Sequence, residues 1–142
     1  DNVEPSGNTL AALLLERLSR HTGDQASHRI AEATLNAGLA LVGRVPHAGL
    51  GLLCAADFFH GSPIGITLEP AESGPPTEEV LRAAHRRFLP RLTLRLADTS
   101  VPVDGKDAVA AQVCLGSACL PAVSTVDGLE EVLDRSAAPG NV

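Results

Sequence analysis

The sequence predicts an α+β fold: helical hairpins first, then a small α/β unit of about three strands and two helices. Three observations carry this. Leu and Ala recur at helical spacing through the first sixty or so positions. The character of the chain changes at Ser62-Pro63. Beyond that point, short β-branched runs alternate with one long amphipathic stretch and a second near the end.

The opening segment, Asp1-Asn2-Val3-Glu4-Pro5-Ser6-Gly7-Asn8-Thr9, is a polar loop, and Ser6 or Asn8 can cap the helix after it by accepting from a first-turn amide. Leu10, Leu13, Leu14 and Leu18 make one apolar face of that helix. Gly23 is its left-handed stop and Asp24 the next cap. A second helix runs over 25–45 with Ala31, Leu35, Gly38, Val42 and Val45 as its buried stripe, so the short turn makes an antiparallel hairpin. After Pro46, the stretch 48–59 is apolar nearly all round and predicts a helix buried on several sides, although Gly49 and Gly51 each weaken it by about 1 kcal/mol relative to Ala. Ile64-Gly65-Ile66-Thr67-Leu68 is a strand and 70–76 a loop. A helix over 77–88 carries Val80, Leu81, Ala84 and Phe88 on one face. Strands follow at 92–96 and 108–114, and a final helix at 126–133 has Thr125 or Asp127 near its cap. The strand–helix–strand order favours parallel pairing. The domain boundaries are therefore 1–61, a helical segment; 62–135, a small α/β module; and 136–142, a loose tail.

Composition narrows the function. The chain of 142 residues is 44% hydrophobic, with no Trp, Tyr or Met and only Phe58, Phe59 and Phe88 as aromatics. Its formal charge is −6. With neither aromatic platforms nor a basic face, nucleic acid and anionic membrane surfaces are excluded as expected partners. No apolar run approaches the roughly 18 residues a bilayer span needs, and the acidic start does not read as a signal peptide. The absence of Met makes residue 1 a processed or internal position, so a fragment or processed product is expected. Three cysteines argue against a disulfide scaffold and for a cytoplasmic protein with reduced thiols.

Asp1, Glu4, Ser6 and Asn8 form a polar cluster suited to a hydroxyl-rich ligand, with Glu4 or Asp1 able to supply a carboxylate for acid–base work. The simpler account is capping, with Glu4 placed favourably near the helix dipole. Cys114-Leu-Gly-Ser-Ala-Cys119 has four intervening residues, more than the CxxC of redox motifs. A turn through Gly116-Ser117 can still bring the sulfurs together, leaving inert thiols and a reversible disulfide both open, the inert thiols favoured. No metal site is expected, because two thiols cannot close a zinc site and His21, His28, His47, His60 and His85 form no HxH or HExxH pattern. His21 suits a helix C-terminus, and Asp57 with His60 reads as a helix-end contact. Arg82, Arg86 and Arg87 read as a solvated basic face. There is no GxGxxG, Walker or nucleophile-elbow pattern, and no cofactor is expected.

The opening nine residues resemble the D-x-x-E-P-S-G-N-S loop of the spermatogenesis-associated thioredoxin-like proteins. Leu14 to Gly23 resembles that family's L-x-R-L-x-x-x-T-G segment. Phe88-Leu89-Pro90, Leu96-Ala97-Asp98, and Val113-Cys114 through Cys119-Leu120-Pro121 continue in the family's order, with Gln112 where an aromatic is usual. The resemblance implies a parent with a thioredoxin-like domain and an α/α toroid of the six-hairpin glycosidase type. The present chain would be its carboxy-terminal region, and its first helices the toroid's last hairpins. Asp1, Glu4, Ser6 and Asn8 would then line a toroid mouth facing a carbohydrate-like ligand. Two further readings stand beside this one. The chain is a non-catalytic interaction module whose first helices are covered by the rest of its parent or by another subunit, or it carries thiol–disulfide activity at Cys114 and Cys119.

Overall fold

The computed structural model describes residues 4–68, 77–97 and 111–136. It shows an α+β chain dividing into two compact units, Asp1–Gly61 and Ser62–Val142.

The first unit is helical. α1 (Gly7–Thr22) begins where the Ser6 side chain accepts from the Thr9 amide, and it ends at Gly23, whose φ of 76° is the left-handed geometry that favours glycine. The Gly23 amide donates back to Ser19 O at 2.7 Å, closing the end. Asp24 caps α2 (Gln25–Val42), its carboxylate accepting from the Ala26 and Ser27 amides at 3.0 and 3.1 Å. α2 stops three residues before the expected end at Val45. Gly43 follows it and Pro46 disfavours helical geometry at Val45, which is non-helical, with φ −140° and ψ 80°, and exposed. A single 3-10 turn, Pro46–Gly49, leads into α3 (Leu50–His60). α3 buries one face only, Leu52, Ala55 and Phe58, and leaves Leu50 and Leu53 exposed, so it is not enclosed on several sides as its composition suggested. The core of this unit is Ala12, Leu35, Val42, Leu52 and Ala55. Gly38 allows the close approach of α2 and α3, since a Cβ there would run into the Leu52 side chain.

The second unit is a four-stranded sheet in the order β2-β1-β3-β4 with two helices on one face. β1 (Ile64–Leu68) pairs in parallel with β2 (Leu92–Leu96), as the strand–helix–strand order predicts, through α4 (Thr77–His85). β3 (Ala111–Leu115) runs antiparallel to β1, and β4 (Ala118–Cys119) antiparallel to β3. β4 is a strand the sequence reading lacked. Residues 108–110 of the expected third strand lie outside the described residues. Ile64, Ile66 and Leu68 face the same way and meet Val80, Ala83 and Ala84 of α4, Ala111 and Val113 of β3, and Leu129, Val132 and Leu133 of α5 (Val126–Ser136). By the period of two, Gly65, Thr67, Thr93, Arg95, Gln112 and Cys114 lie on the opposite face.

Two expectations fail here for local reasons. α4 ends at His85, three residues before the expected end at Phe88, and the chain turns over 86–91 before β2. Phe88 is consequently 90% exposed, and Leu89 packs on the core in its place. Ser136, expected in the tail, is the buried last residue of α5 and donates to Val132 O at 2.8 Å. The rest of the expected tail, 137–142, and the loop 70–76 lie outside the described residues.

Candidate functional site

In the opening loop the structure settles one role. Ser6 Oγ accepts from the Thr9 amide at 3.2 Å and lies 3.0 Å from Thr9 Oγ1, which makes it the cap of α1. Asn8 is not the cap; it sits in the first turn of α1 and is exposed. Glu4 is exposed, and Asp1 lies outside the described residues.

The helix that this loop introduces is inverted relative to its sequence. The residues α1 buries are Thr9, Ala12, Glu16 and Ser19, small or polar. Of the expected leucine face, Leu13 packs against the core, but Leu10, Leu14 and Leu18 point outward, 54%, 67% and 45% exposed. They sit at i, i+4 and i+8, one continuous ridge. Ala12 of this buried face shares a core cluster with Leu35 and Val42 of α2, while Ser27 and Ala31 are further buried residues of α2.

Glu16 anchors a network within this unit. One carboxylate oxygen accepts from Arg20 Nε at 2.8 Å, and the other lies 2.8 Å from His28 Nδ1. Arg20 Nη2 donates to the carbonyls of Phe58 and Phe59 at the end of α3, at 3.3 Å for Phe59. A cation there complements the negative end of the helix dipole. The Arg17 and Arg20 guanidinium carbons lie 4.4 and 4.2 Å from the Phe58 ring centroid. Arg20 Nη1 is buried and has no hydrogen-bond partner among the described residues, so the ring face is its main contact. The His28 ring stacks on Phe59 at 4.8 Å, and His60 meets Phe59 edge-on. The network joins α1, α2 and the end of α3. It escaped the sequence reading because Glu16 and Arg20 look like a solvent-facing i, i+4 pair. Only the inversion of α1 turns that pair inward.

The cysteines of the second unit are paired: Cys114 and Cys119 form a disulfide across β3 and β4, directly opposite in register, with Cα atoms 3.9 Å apart. The favoured expectation of inert thiols is therefore corrected. The physical reason is a two-residue turn, Gly116-Ser117, with φ of 59° at Gly116, which folds the strands back on each other. Cys119 is exposed and Cys114 half-buried. Cys54, on α3, is a free and exposed thiol.

The arginines expected on a solvated face divide. Arg82 pairs with Glu78 at 2.7 Å on the surface of α4. Arg86 and Arg87 bind α4's end to α5: Arg86 reaches Glu130 at 3.3 Å, and Arg87 reaches Asp134 at 2.5 Å and Glu130 at 3.7 Å. The hydrogen bond from Arg87 holds the Asp134 carboxyl below its usual range, and the same bond raises the Arg87 guanidinium. Asp24 is also lowered, first by the Ser27 hydroxyl at 2.6 Å and then by the two capping amides.

Among the described residues no group of three or more His, Cys, Asp and Glu side chains is placed to hold a metal ion. No described helix is long and apolar enough to cross a membrane. Compared with protein-family models, curated proteins and solved structures, the chain matches none of them.

Proposed function

We propose that the helical unit is a docking module: the last hairpins of an α/α toroid in a longer, cytoplasmic protein of the spermatogenesis-associated thioredoxin-like type, whose preceding helices cover the leucine ridge of α1. The observation that carries this reading is the inversion of α1. Helices ordinarily bury their apolar stripe. Here Thr9, Ala12, Glu16 and Ser19 are inside and Leu10, Leu14 and Leu18 outside. Exposed Leu50 and Leu53 on α3 and Ile30 and Leu41 on α2 add apolar surface to the same unit. A ridge at i, i+4 and i+8 has the form that packs into the groove of another helix. The carbohydrate-like ligand of the parent belongs to the same reading: Ser6 alone is engaged in capping, and Glu4 and Asn8 present their polar groups to solvent.

The test is the association of the isolated chain. An uncovered ridge is expected to make it self-associate reversibly in light scattering and to bind an apolar dye. Leu10→Ser with Leu14→Ser should reduce both severalfold and leave the melting temperature near that of the parent sequence. A clean monomer that binds no dye sinks the reading.

A further inference from the structure

We propose that Cys114 and Cys119 form an exchange site for dithiols, a redox couple rather than a structural staple. The inference is independent of the docking reading, because it rests on the second unit alone.

Four observations lead to it. The hairpin that carries the pair is already closed by its backbone. Leu120 N donates to Val113 O at 2.8 Å, and Gly116 N donates to Pro63 O at 2.9 Å, tying the turn to the start of β1. The disulfide also closes a very short loop, with a sequence separation of 5, and constraint of the unfolded chain grows with loop length. A staple is least effective in such a place. Next, the pair lies away from the apolar core. Cys114 is on the sheet face opposite the helices, and β4 is a two-residue strand at the sheet's edge with both residues exposed. Finally, the neighbouring position on β1 is Gly65, paired with Cys114; a Cβ at Gly65 would lie 3.9 Å from Cys114 Cβ, and glycine places no side chain there.

The asymmetry in exposure assigns the order of steps. A thiolate of the incoming dithiol attacks Sγ of exposed Cys119. The bond to Cys114 Sγ breaks, a mixed disulfide forms at Cys119, and Cys114 leaves as a thiolate that takes up a proton. The second thiol of the donor, deprotonated, then attacks its own sulfur in the mixed disulfide. Cys119 is released and protonated, the donor leaves as a cyclic or paired disulfide, and two electrons and two protons have entered the hairpin. Oxidation by a disulfide of the same class runs the sequence in reverse.

The experiment uses the full chain with Cys54→Ser, so that only this pair is counted. Intact mass and thiol titration across a dithiothreitol series, without denaturant, should show two thiols appearing and disappearing reversibly, with a melting temperature nearly the same in both forms. With oxidised glutathione as probe, the Cys114→Ser variant, which keeps Cys119, should form its mixed disulfide about tenfold faster than the Cys119→Ser variant, following access to the sulfur. Reduction that proceeds only on unfolding, or that lowers the melting temperature markedly, makes the pair a staple and overturns the proposal. Two thiols that stay free under oxidised glutathione overturn it as well. Equal rates for the two variants overturn the assignment of Cys119 as the attacked sulfur.

Discussion

The two units treat apolar residues in opposite ways. In the second, the large side chains are inside: Ile66, Leu68, Val113, Leu129 and Leu133 are all fully buried between a sheet face and two helices. In the first, Leu35 alone is in that class among the described residues, and much of the remaining core is Ala12, Ala31 and Ala55. Leu10, Leu14 and Leu18 of α1 are at the surface. A sheet covered by helices closes its own core, because each element has one apolar face and one neighbour for it. A pair of helices packed through small residues leaves the opposite face without a neighbour. The difference is one of exposure: the first unit carries most of the large apolar side chains left at the surface among the described residues.

The largest expected effect tests whether both cores are nonetheless real. Leu133→Ala and Leu35→Ala should each cost about 2–5 kcal/mol in denaturant unfolding, since both leave a cavity in a closed site. Leu14→Ala, the same chemistry on the exposed ridge, should stay within about 0.5 kcal/mol in the isolated chain. A cost for Leu14 like that of Leu35 would break the contrast. Next in size is Glu16→Ala, which strips Arg20 and His28 of their shared acceptor and should cost about 1–3 kcal/mol. Glu16→Gln, which keeps one acceptor oxygen, should lose less. Ser6→Ala removes the cap of α1 and should cost about 1 kcal/mol, read as faster amide exchange in the first turn.

The smallest effect is electrostatic and occurs in both units. Asp24 and Asp134 are held below the usual 3.8 by their partners in the folded chain. A lowered folded value means stabilisation that is complete above 3.8 and is lost as pH falls through that folded value. Thermal melts from neutral to strongly acidic pH should therefore show an acid limb. Asp24→Asn should flatten the part belonging to the first unit, and Asp134→Asn the part belonging to the second.

What could be read from the sequence follows the range of the forces involved. The strands at 64–68 and 92–96, the Gly23 stop, the Asp24 cap and the helix starts at Gln25, Thr77 and Val126 depend on neighbours within a few positions. Pro46 marks a boundary in the sequence, but the earlier end of α2 before Gly43 is outweighed there by helical periodicity. The burial of α1 was legible only at Leu13, which packs against the core as expected. A leucine stripe predicts an inward face only when the large side chains make the contact, and here α1 buries Thr9, Ala12, Glu16 and Ser19 instead. For the same reason Glu16 and Arg20 looked like surface charges. The disulfide was open on spacing alone, since four intervening residues accommodate a two-residue turn only once both flanking pairs are in β register.

The position of β1 has a consequence for how the chain is made. It is a central strand, and its neighbour on one side is β3, with Ile64 opposite Leu115. During synthesis, therefore, Ile64–Leu68 leaves the ribosome well before that partner exists. Until β3 arrives, this strand, with Ile64, Ile66 and Leu68 all buried in the folded unit, has an open hydrogen-bonding edge, the condition under which nascent chains pair with each other instead of with themselves. The helical unit emerges first, and its pairings are local, so it can fold while the sheet waits. In the interval between the two, the β3-facing edge of β1 is open to any other strand.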